Sequence, residues 1–321
     1  GSRGGGTEEG QREVLAGYGI TEERLGVPVV TTVDTVYLGN CANGRPVWFD
    51  RAAYEADLIV PINRVKLHTD FVGPIQSGLC KMLVIGLGNH KGCSAVHEEA
   101  PEVFADAIEE TARLILQKAP VGFGIAILEN AYDKTYAVEA VPAEHLVERE
   151  KELVQIAKGN MPYIMLDEAD VIVCGAIGKD ISGAGFDPNI LGRSSVLKQF
   201  VLHIPRYQRL VLCDVTPASH GNGIGVGLFD VITKKVAEQL DLESMYANAI
   251  ACNCLGDASV PCTVDDEETA IRVALKCCRN IDRDHPRIIR IQNTLHLGEI
   301  EVSEALLDAV RADSRMSLIE N

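Results

Sequence analysis

The side chains best suited to chemistry in this sequence lie between positions 64 and 97. The segment "NRVKLHTDFVGPIQSGLCK" carries Arg64, Lys66, His68, Asp70 and Lys81, and "KMLVIGLGNHKGCSAVH" adds His90, Cys93 and His97. Imidazole nitrogens are donors that suit zinc, copper, iron and nickel. His90 and His97 do not complete a metal site on their own. The sequence allows such a site if His68 and either Cys80 or Cys93 join them on folding.

The glycines of the second segment raise the possibility of a phosphate-binding turn. Their spacing, Gly86-x-Gly88-x-x-x-Gly92, lacks the third glycine of a G-x-G-x-x-G fingerprint, and there is no Walker-type lysine followed by serine or threonine. A conventional phosphate loop is therefore not expected. The apolar run "MLVIGL" before the last glycines is predicted to be a strand.

Two further loops rich in glycine and polar residues follow apolar runs in the second half. "AIGKDISGAGFDPN" carries Lys179, Asp180, Ser182 and Asp187, and "TPASHGNGIGVGL" carries Ser219 and His220. Ligands of open α/β sheets bind where strands end and loops begin. Together with the segment that carries His68 and Lys81, these loops predict one shared cleft.

Alternating strand and helix patterns place these loops in an α/β fold. Strands are predicted at "VPVVTTV", "DLIVPI", "MLVIGL", "GFGIAILEN", "ADVIVCGAIG", "RLVLCDV" and "RIIRIQN". Long helices are predicted at "EEAPEVFADAIEETARLILQKA", "PAEHLVEREKELVQIAKG" and "GVGLFDVITKKVAEQL". The Gly-, Asn- and Pro-containing segment 159–168 is the expected boundary. The prediction is two Rossmann-like α/β sandwich domains, 1–162 and 163–321, with a cleft between them.

Composition excludes some classes of function. The 321 residues carry a formal charge of −16, which argues against a nucleic-acid surface. No run reaches the ~18 apolar residues of a membrane span, and no secretory leader is recognisable. The ten cysteines lack the paired spacing of a zinc site. We therefore expect a cytoplasmic protein with reduced thiols and no nucleic-acid or membrane partner.

Four segments resemble the lactate racemase superfamily, and more closely its branch of uncharacterised homologues. They are "NRVKLHTDFVGPIQSGLCKMLVIGLGNHKG", "IGKDISGAGFDPN", "DVTPASHGN" and "NTLHLGEIEVSEALLD". The resemblance covers essentially the whole chain. It implies a nickel-dependent racemase or epimerase of a small 2-hydroxy acid, which works by reversible hydride transfer to a nickel-pincer nucleotide. Cofactor maturation enzymes are then implied partners, and a homo-oligomer stays open.

The same resemblance implies roles for single residues. Lys81 would hold the pincer nucleotide covalently through a thioamide, and His97 would ligate the nickel. His68 would serve as general acid and base, which suits a side chain whose pKa lies near neutral pH. Lys179 is the cation expected to contact the cofactor or the substrate carboxylate.

Two departures from the family pattern leave alternatives open. Arg3 stands where the family has a second acid/base histidine, and arginine stays protonated. The family's Asp- and Arg-containing motif for the cofactor phosphate has no counterpart, so the chain is expected to be N-terminally truncated. The alternative hypothesis is a non-catalytic relative that binds a small hydroxy acid or nucleotide. A third is an oxidoreductase with a freely bound nucleotide.

Overall fold

A computed structural model describes residues 7–319, and contacts within the chain divide it into two units. The first unit runs up to Asn130 and includes Lys134–Asn160. The second comprises Ala131–Asp133 and the chain from Met161 onward. Both units combine sheets with helices, which confirms the α/β fold class.

The first unit consists of helices around two small sheets. Its elements are α1 (Glu8–Gly17), α2 (Glu22–Leu25), β1 (Thr35–Asn40), β2 (Pro46–Asp50), α3 (Arg51–Tyr54), β3 (Ile62–Arg64), α4 (Leu79–Lys81), α5 (Asn89–His97), α6 (Phe104–Lys118), β4 (Phe123–Glu129), β5 (Thr135–Pro142) and α7 (Leu146–Asn160). A π-helical turn (Met82–Gly86) follows α4, and a 3-10 turn (Ala143–His145) precedes α7.

Strands β1 and β2 form an antiparallel hairpin that the strand prediction missed. The predicted strand "VPVVTTV" is wrong, because residues 27–34 adopt no regular structure and β1 begins only at Thr35. Asn43-Gly44 lies in the turn between the two strands, and this dipeptide is a strong hairpin signal.

The three-stranded sheet of this unit has the order β3-β4-β5, with β3 parallel and β5 antiparallel to β4. The strand predicted at "GFGIAILEN" is confirmed as β4, which buries every second residue. "DLIVPI" is only partly a strand, since Ile59 makes an isolated bridge and β3 begins at Ile62. The long helices α6 and α7 are confirmed where the periodicity predicts them.

The strand predicted at "MLVIGL" is wrong, because these residues continue from α4 into the π-helical turn. The buried side chains of this segment are Leu79, Cys80, Leu83 and Val84. That spacing repeats after four residues and therefore follows one face of a helix. A short apolar run does not distinguish a buried helix from a buried strand.

The second unit is built on one six-stranded sheet. Its elements are β6 (Val171–Cys174), α8 (Pro188–Leu191), β7 (Arg209–Leu212), β8 (Val231–Thr233), α9 (Lys234–Gln239), α10 (Leu242–Ala251), β9 (Cys262–Val264), α11 (Glu267–Lys276), β10 (Ile288–Ile291), β11 (Glu301–Val302) and α12 (Leu307–Ala312). The strand order is β11-β10-β6-β7-β8-β9, and all neighbours except β10 and β11 pair in parallel. The winding reverses beside β6, as in doubly wound folds.

The central strands of this sheet are buried on both faces. Ile172 and Leu210 belong to the larger core, whereas Val171 and Val211 face a smaller cluster that contains Ala270 of α11. The strands predicted at "ADVIVCGAIG", "RLVLCDV" and "RIIRIQN" are thus confirmed. The single helix predicted at "GVGLFDVITKKVAEQL" is only partly confirmed, because α9 covers "KKVAEQ" while "VIT" forms the buried strand β8 between β7 and β9.

Within residues 7–319, the structure contains no helix whose length and hydrophobicity would let it cross a membrane.

Candidate active site

Lys81 is the last residue of α4, where the α-helix passes into the π-helical turn. Leu79 and Cys80 are buried beside it, and Lys81 itself is half-buried. Gly78 is the N-cap residue of α4 and has no side chain that could bind the first N–H groups. π-helical turns occur frequently at functional sites.

The loop between β3 and α4 brings His68 against Lys81, so that Nε2 of the imidazole contacts the lysine Nζ. The His68 N–H donates to Oε1 of Gln76 at 2.7 Å, and the backbones of Lys66 and Ser77 bond to each other in both directions. The imidazole also stacks on Phe71, with 4.2 Å between ring centroids. The loop is therefore closed on itself and holds the ring in one orientation.

The hydrogen bonds of His68 define its neutral tautomer. The Asp70 N–H donates to Nδ1 at 3.0 Å, so Nδ1 carries a lone pair and the neutral ring carries its proton on Nε2. Nε2 is the atom that faces Lys81. An Nε2–H donates to an amine lone pair, so the contact is a hydrogen bond when the lysine is the neutral amine. A neutral amine is also the nucleophilic form of lysine.

The surroundings of His68 favour its neutral form. Burial lowers its pKa well below the ordinary range, and the positive charges of Lys81 and Lys66 lower it further, with a smaller contribution from His97. A group with a lowered pKa binds its proton only in more acidic solution. Three cationic or potentially cationic groups therefore oppose protonation of His68 in an otherwise acidic chain.

His97 lies near the end of α5, and its tautomer is fixed by the preceding turn. Its Nδ1–H donates to the carbonyl oxygen of Cys93 at 2.7 Å, with the Cys93 thiol 3.4 Å from the same nitrogen. Contact with Cys93 raises the pKa of His97, although burial opposes the shift. The ring meets the edge of Phe104, with 4.9 Å between centroids. Nε2 of the neutral ring is left with the lone pair that a metal ion needs, and second-shell bonds of this kind orient metal-binding histidines.

The glycines of "IGLGNHKG" serve packing rather than phosphate binding. A Cβ at Gly88 would lie 2.1 Å from the Val84 carbonyl oxygen, and one at Gly92 would lie 3.1 Å from the Trp48 carbonyl oxygen of the hairpin. Between these glycines, Asn89 has a left-handed backbone with φ 50°. Its side-chain amide donates to the Asp50 carboxylate at 2.8 Å. The hairpin therefore determines where α5 starts and in which direction it runs.

The structure does not gather an all-protein metal site. In the described part of the chain, no three His, Cys, Asp or Glu side chains are placed to share a metal ion. His90 is exposed, and its Nδ1 pairs with the Ser94 hydroxyl at 3.2 Å. The metal cluster of His90, His97 and further ligands that the sequence allowed is thus absent from residues 7–319.

Lys179 belongs to the second unit, in the loop after β6. Its Nζ donates to the Gly183 carbonyl at 2.7 Å and to Oδ1 of Asn248 at 2.5 Å. Its N–H donates to the Ser219 hydroxyl at 2.9 Å, so the glycine-rich loops after β6 and β7 contact each other. Its assignment to a ligand stays a prediction, as does that of His68, Lys81 and His97. Arg3 lies outside the described residues.

Two residues of this region were missed from the sequence. Gln76 fixes the His68 loop, and nothing in "GPIQSG" marks it. Glu150 of α7 is fully buried below α4, and its Oε2 accepts the Cys80 N–H at 2.8 Å. A signal for it did exist, because Glu150 occupies the helical apolar face between Leu146 and Leu153.

These features define a two-unit α/β protein, with a lysine, an imidazole held against it and a second imidazole in the first unit. No protein-family model and no curated protein matches the chain. Among solved structures, the lactate racemase apoprotein from Thermoanaerobacterium thermosaccharolyticum is similar at 14% identity over 72% of this chain and 66% of that protein, with a TM-score of 0.36. A protein from Thermotoga maritima is similar at 14% identity over 48% of this chain and 46% of that protein, with a TM-score of 0.35. The chain thus spans about two-thirds of the length of the first protein and about half of the length of the second.

The two imidazoles are expected to titrate in opposite directions from an ordinary histidine. In an NMR pH titration, His68 should stay neutral to lower pH and His97 should protonate at higher pH than exposed histidines. Lys81→Met should raise the pKa of His68 by removing a nearby positive charge. The value should stay below the ordinary one, because the larger effect of burial remains. A His68 that titrates at the ordinary pKa of histidine would contradict the burial of its ring.

Proposed function

We propose that this chain is a racemase or epimerase of a small 2-hydroxy acid that works with a nickel-pincer nucleotide held on Lys81. The observation that carries the proposal is the contact between the Lys81 amine and Nε2 of His68, in a loop whose hydrogen bonds fix the ring. It supports the amine as the point of attachment and the ring as the proton carrier. The likeness in sequence motifs described above supplies the identity of the cofactor.

The donor chemistry of the residues fits such a group. An amine that accepts a hydrogen bond from an imidazole is unprotonated, and its lone pair can attack an acyl group once that hydrogen bond is broken. A metal held mainly by an organic pincer needs few protein ligands. His97 offers one, its Nε2 atom, because the hydrogen bond from Nδ1 to the Cys93 carbonyl fixes the tautomer of the ring. Nickel accepts both soft donors and imidazole.

When bound, the cofactor supplies an acceptor for the α-hydrogen of the substrate together with its electron pair. The chain itself manages the proton of the substrate hydroxyl. His68 as the neutral ring accepts the hydroxyl proton at Nε2, and the imidazolium formed in this way returns the proton to the oxygen of the planar 2-keto acid. To accept a proton at Nε2, the ring must carry its other proton on Nδ1, and Asp70 Oδ2 lies 4.0 Å from that atom. The positive charge of Lys66 attracts the substrate carboxylate.

The proposal is tested with protein co-expressed with cofactor maturation enzymes and given enantiopure 2-hydroxy acids deuterated at Cα. We expect scrambling of the configuration with the deuterium retained at Cα, because the α-hydrogen leaves with its electron pair and returns to either face. His68→Gln should lower the rate by about 10²–10⁴-fold, the usual contribution of a general acid–base group. His90→Gln, which changes an exposed histidine on α5, is the matched control.

Protein that carries the cofactor and binds hydroxy acids without scrambling any of them would instead favour the non-catalytic alternative. Loss of the deuterium to solvent would indicate proton abstraction at Cα, and would contradict the proposed reaction.

A further inference from the structure

Glu150 is the most deeply buried carboxyl group near Lys81, and the proposed chemistry does not use it. Its side chain has 0% exposure. Oε2 accepts the Cys80 N–H at 2.8 Å, while Oε1 is buried and has no hydrogen-bond partner in the described chain. A buried carboxylate oxygen without a partner is costly, and an unpaired neutral group costs less than an unpaired charge.

The position of this carboxyl group compensates for a missing cap. An N-cap residue normally binds the first free N–H groups of a helix through its own side-chain oxygen. Gly78 has no such atom, and Glu150 reaches in from α7 to bind the N–H of Cys80. Gly78 itself is held by Asn63, whose side-chain amide donates to the Gly78 carbonyl oxygen at 2.8 Å. Lys81 is the next residue after Cys80, so its backbone depends on this arrangement.

We propose that Glu150 is a positioning residue for Lys81, and that the folded start of α4 is more stable when this buried carboxyl group is neutral than when it is ionised. The positioning role rests on the proposed function, because it matters only if Lys81 carries the chemistry. The hold on α4 itself is independent of any reaction.

The titration of Glu150 agrees with this geometry. Burial raises its pKa to about 7, although the N–H groups of Cys80 and Leu79 lower it in part. The fold therefore favours the neutral carboxyl group. Its stabilising effect is complete below the ordinary pKa of glutamate and is lost as the pH rises through about 7.

The groups around Glu150 are few. The Cys80 thiol faces it from α4, and burial and the Glu150 charge both raise the pKa of that thiol. Glu109 and Arg113 of α6 act on the same thiol with opposite signs. The neighbours of Glu150 on α7 point elsewhere, since Arg149 pairs with Glu139 and Lys151 with Glu109.

The test is amide hydrogen exchange of the peptide 78–86 between pH 6 and pH 8, corrected for the intrinsic pH dependence of exchange. If opening of this segment exposes Glu150 to water, opening should become about tenfold more frequent over this range, as expected for a carboxyl group whose pKa falls from about 7 to its ordinary value on opening. In Glu150→Gln, which mimics the neutral acid, the tenfold change should vanish. Glu152→Gln, an exposed change on the same helix, should leave it intact.

Corrected exchange that is independent of pH in the wild type, or equally dependent on pH in Glu150→Gln, overturns the proposal. If Glu150→Gln does not fold, carbon NMR of the wild-type carboxyl group decides. The proposal is supported if the carboxyl carbon of Glu150 and the amide of Cys80 both titrate with a midpoint near pH 7. It is rejected if the carboxyl carbon titrates with a midpoint below pH 5.5. None of these readouts requires cofactor or substrate, so failure of the racemase proposal would show separately.

Discussion

Lys81→Ala is expected to abolish the covalent mass addition to the protein and to reduce nickel to background after co-expression with maturation enzymes. The amine is the proposed point of attachment, and alanine has no nucleophile. Lys81→Arg should fail as well, because a guanidinium stays protonated and cannot replace a neutral amine. Intact-protein mass spectrometry and nickel analysis of the same sample measure both effects.

Two companion variants separate the tether from the metal ligand. His97→Ala should keep the mass addition but lose most of the nickel, since it removes only an imidazole. Lys91→Arg should behave as wild type, because the Lys91 amine lies over the Trp48 ring, 4.7 Å from its centroid, and arginine also stacks on aromatic rings. An unchanged adduct in Lys81→Ala would remove the basis of the proposed function.

Gly78→Ala should destabilise the first unit by about 2–3 kcal/mol, the range for overpacking and for loss of a buried hydrogen bond. A Cβ at this position would lie 2.6 Å from the Glu150 carboxyl carbon. The carboxyl group must then move away from the Cys80 N–H. The backbone at Gly78 is extended, so the cost arises from the collision and not from backbone strain.

Gly159→Ala is the matched control for this substitution. Gly159 lies within α7, and no atom lies within 4 Å of its added Cβ, so alanine should stabilise the helix by about 0.5–1 kcal/mol. Urea unfolding followed by tryptophan fluorescence measures both, because the single tryptophan, Trp48, lies in the first unit. Equal stability of the two variants would contradict the close contact between Gly78 and Glu150.

Most of the second unit could be predicted from sequence, because its central strands are short, apolar and buried on both faces, as in "RLVLCDV". The first unit was harder to predict. "MLVIGL" has the composition of a strand and the burial pattern of a helix, and only packing against α5 and α6 decides between them. "VIT" of β8 lies within a sequence pattern that predicts a helix. It forms a strand because it pairs with strands that are distant in sequence.

The sequence indicates which residues form the candidate site, but it does not indicate how their side chains are arranged. The density of charged and imidazole groups around His68 marks the loop, and the structure places that ring against Lys81. The tautomer of His68 depends on a backbone N–H of Asp70, which every residue but proline offers, so no sequence pattern reveals it. Glu150 is separated from Cys80 by seventy residues, and local periodicity cannot join them.

The dependence of α5 on the hairpin has a consequence for protein engineering. Residues 64–97 contain the reactive side chains, yet a graft of this segment onto another scaffold should not transfer the site. The grafted segment would lack Asp50, which accepts a hydrogen bond from Asn89. It would also lack the Trp48 backbone, which packs against Gly92. A portable version would have to include the hairpin at one end and α7 at the other, which amounts to most of the first unit.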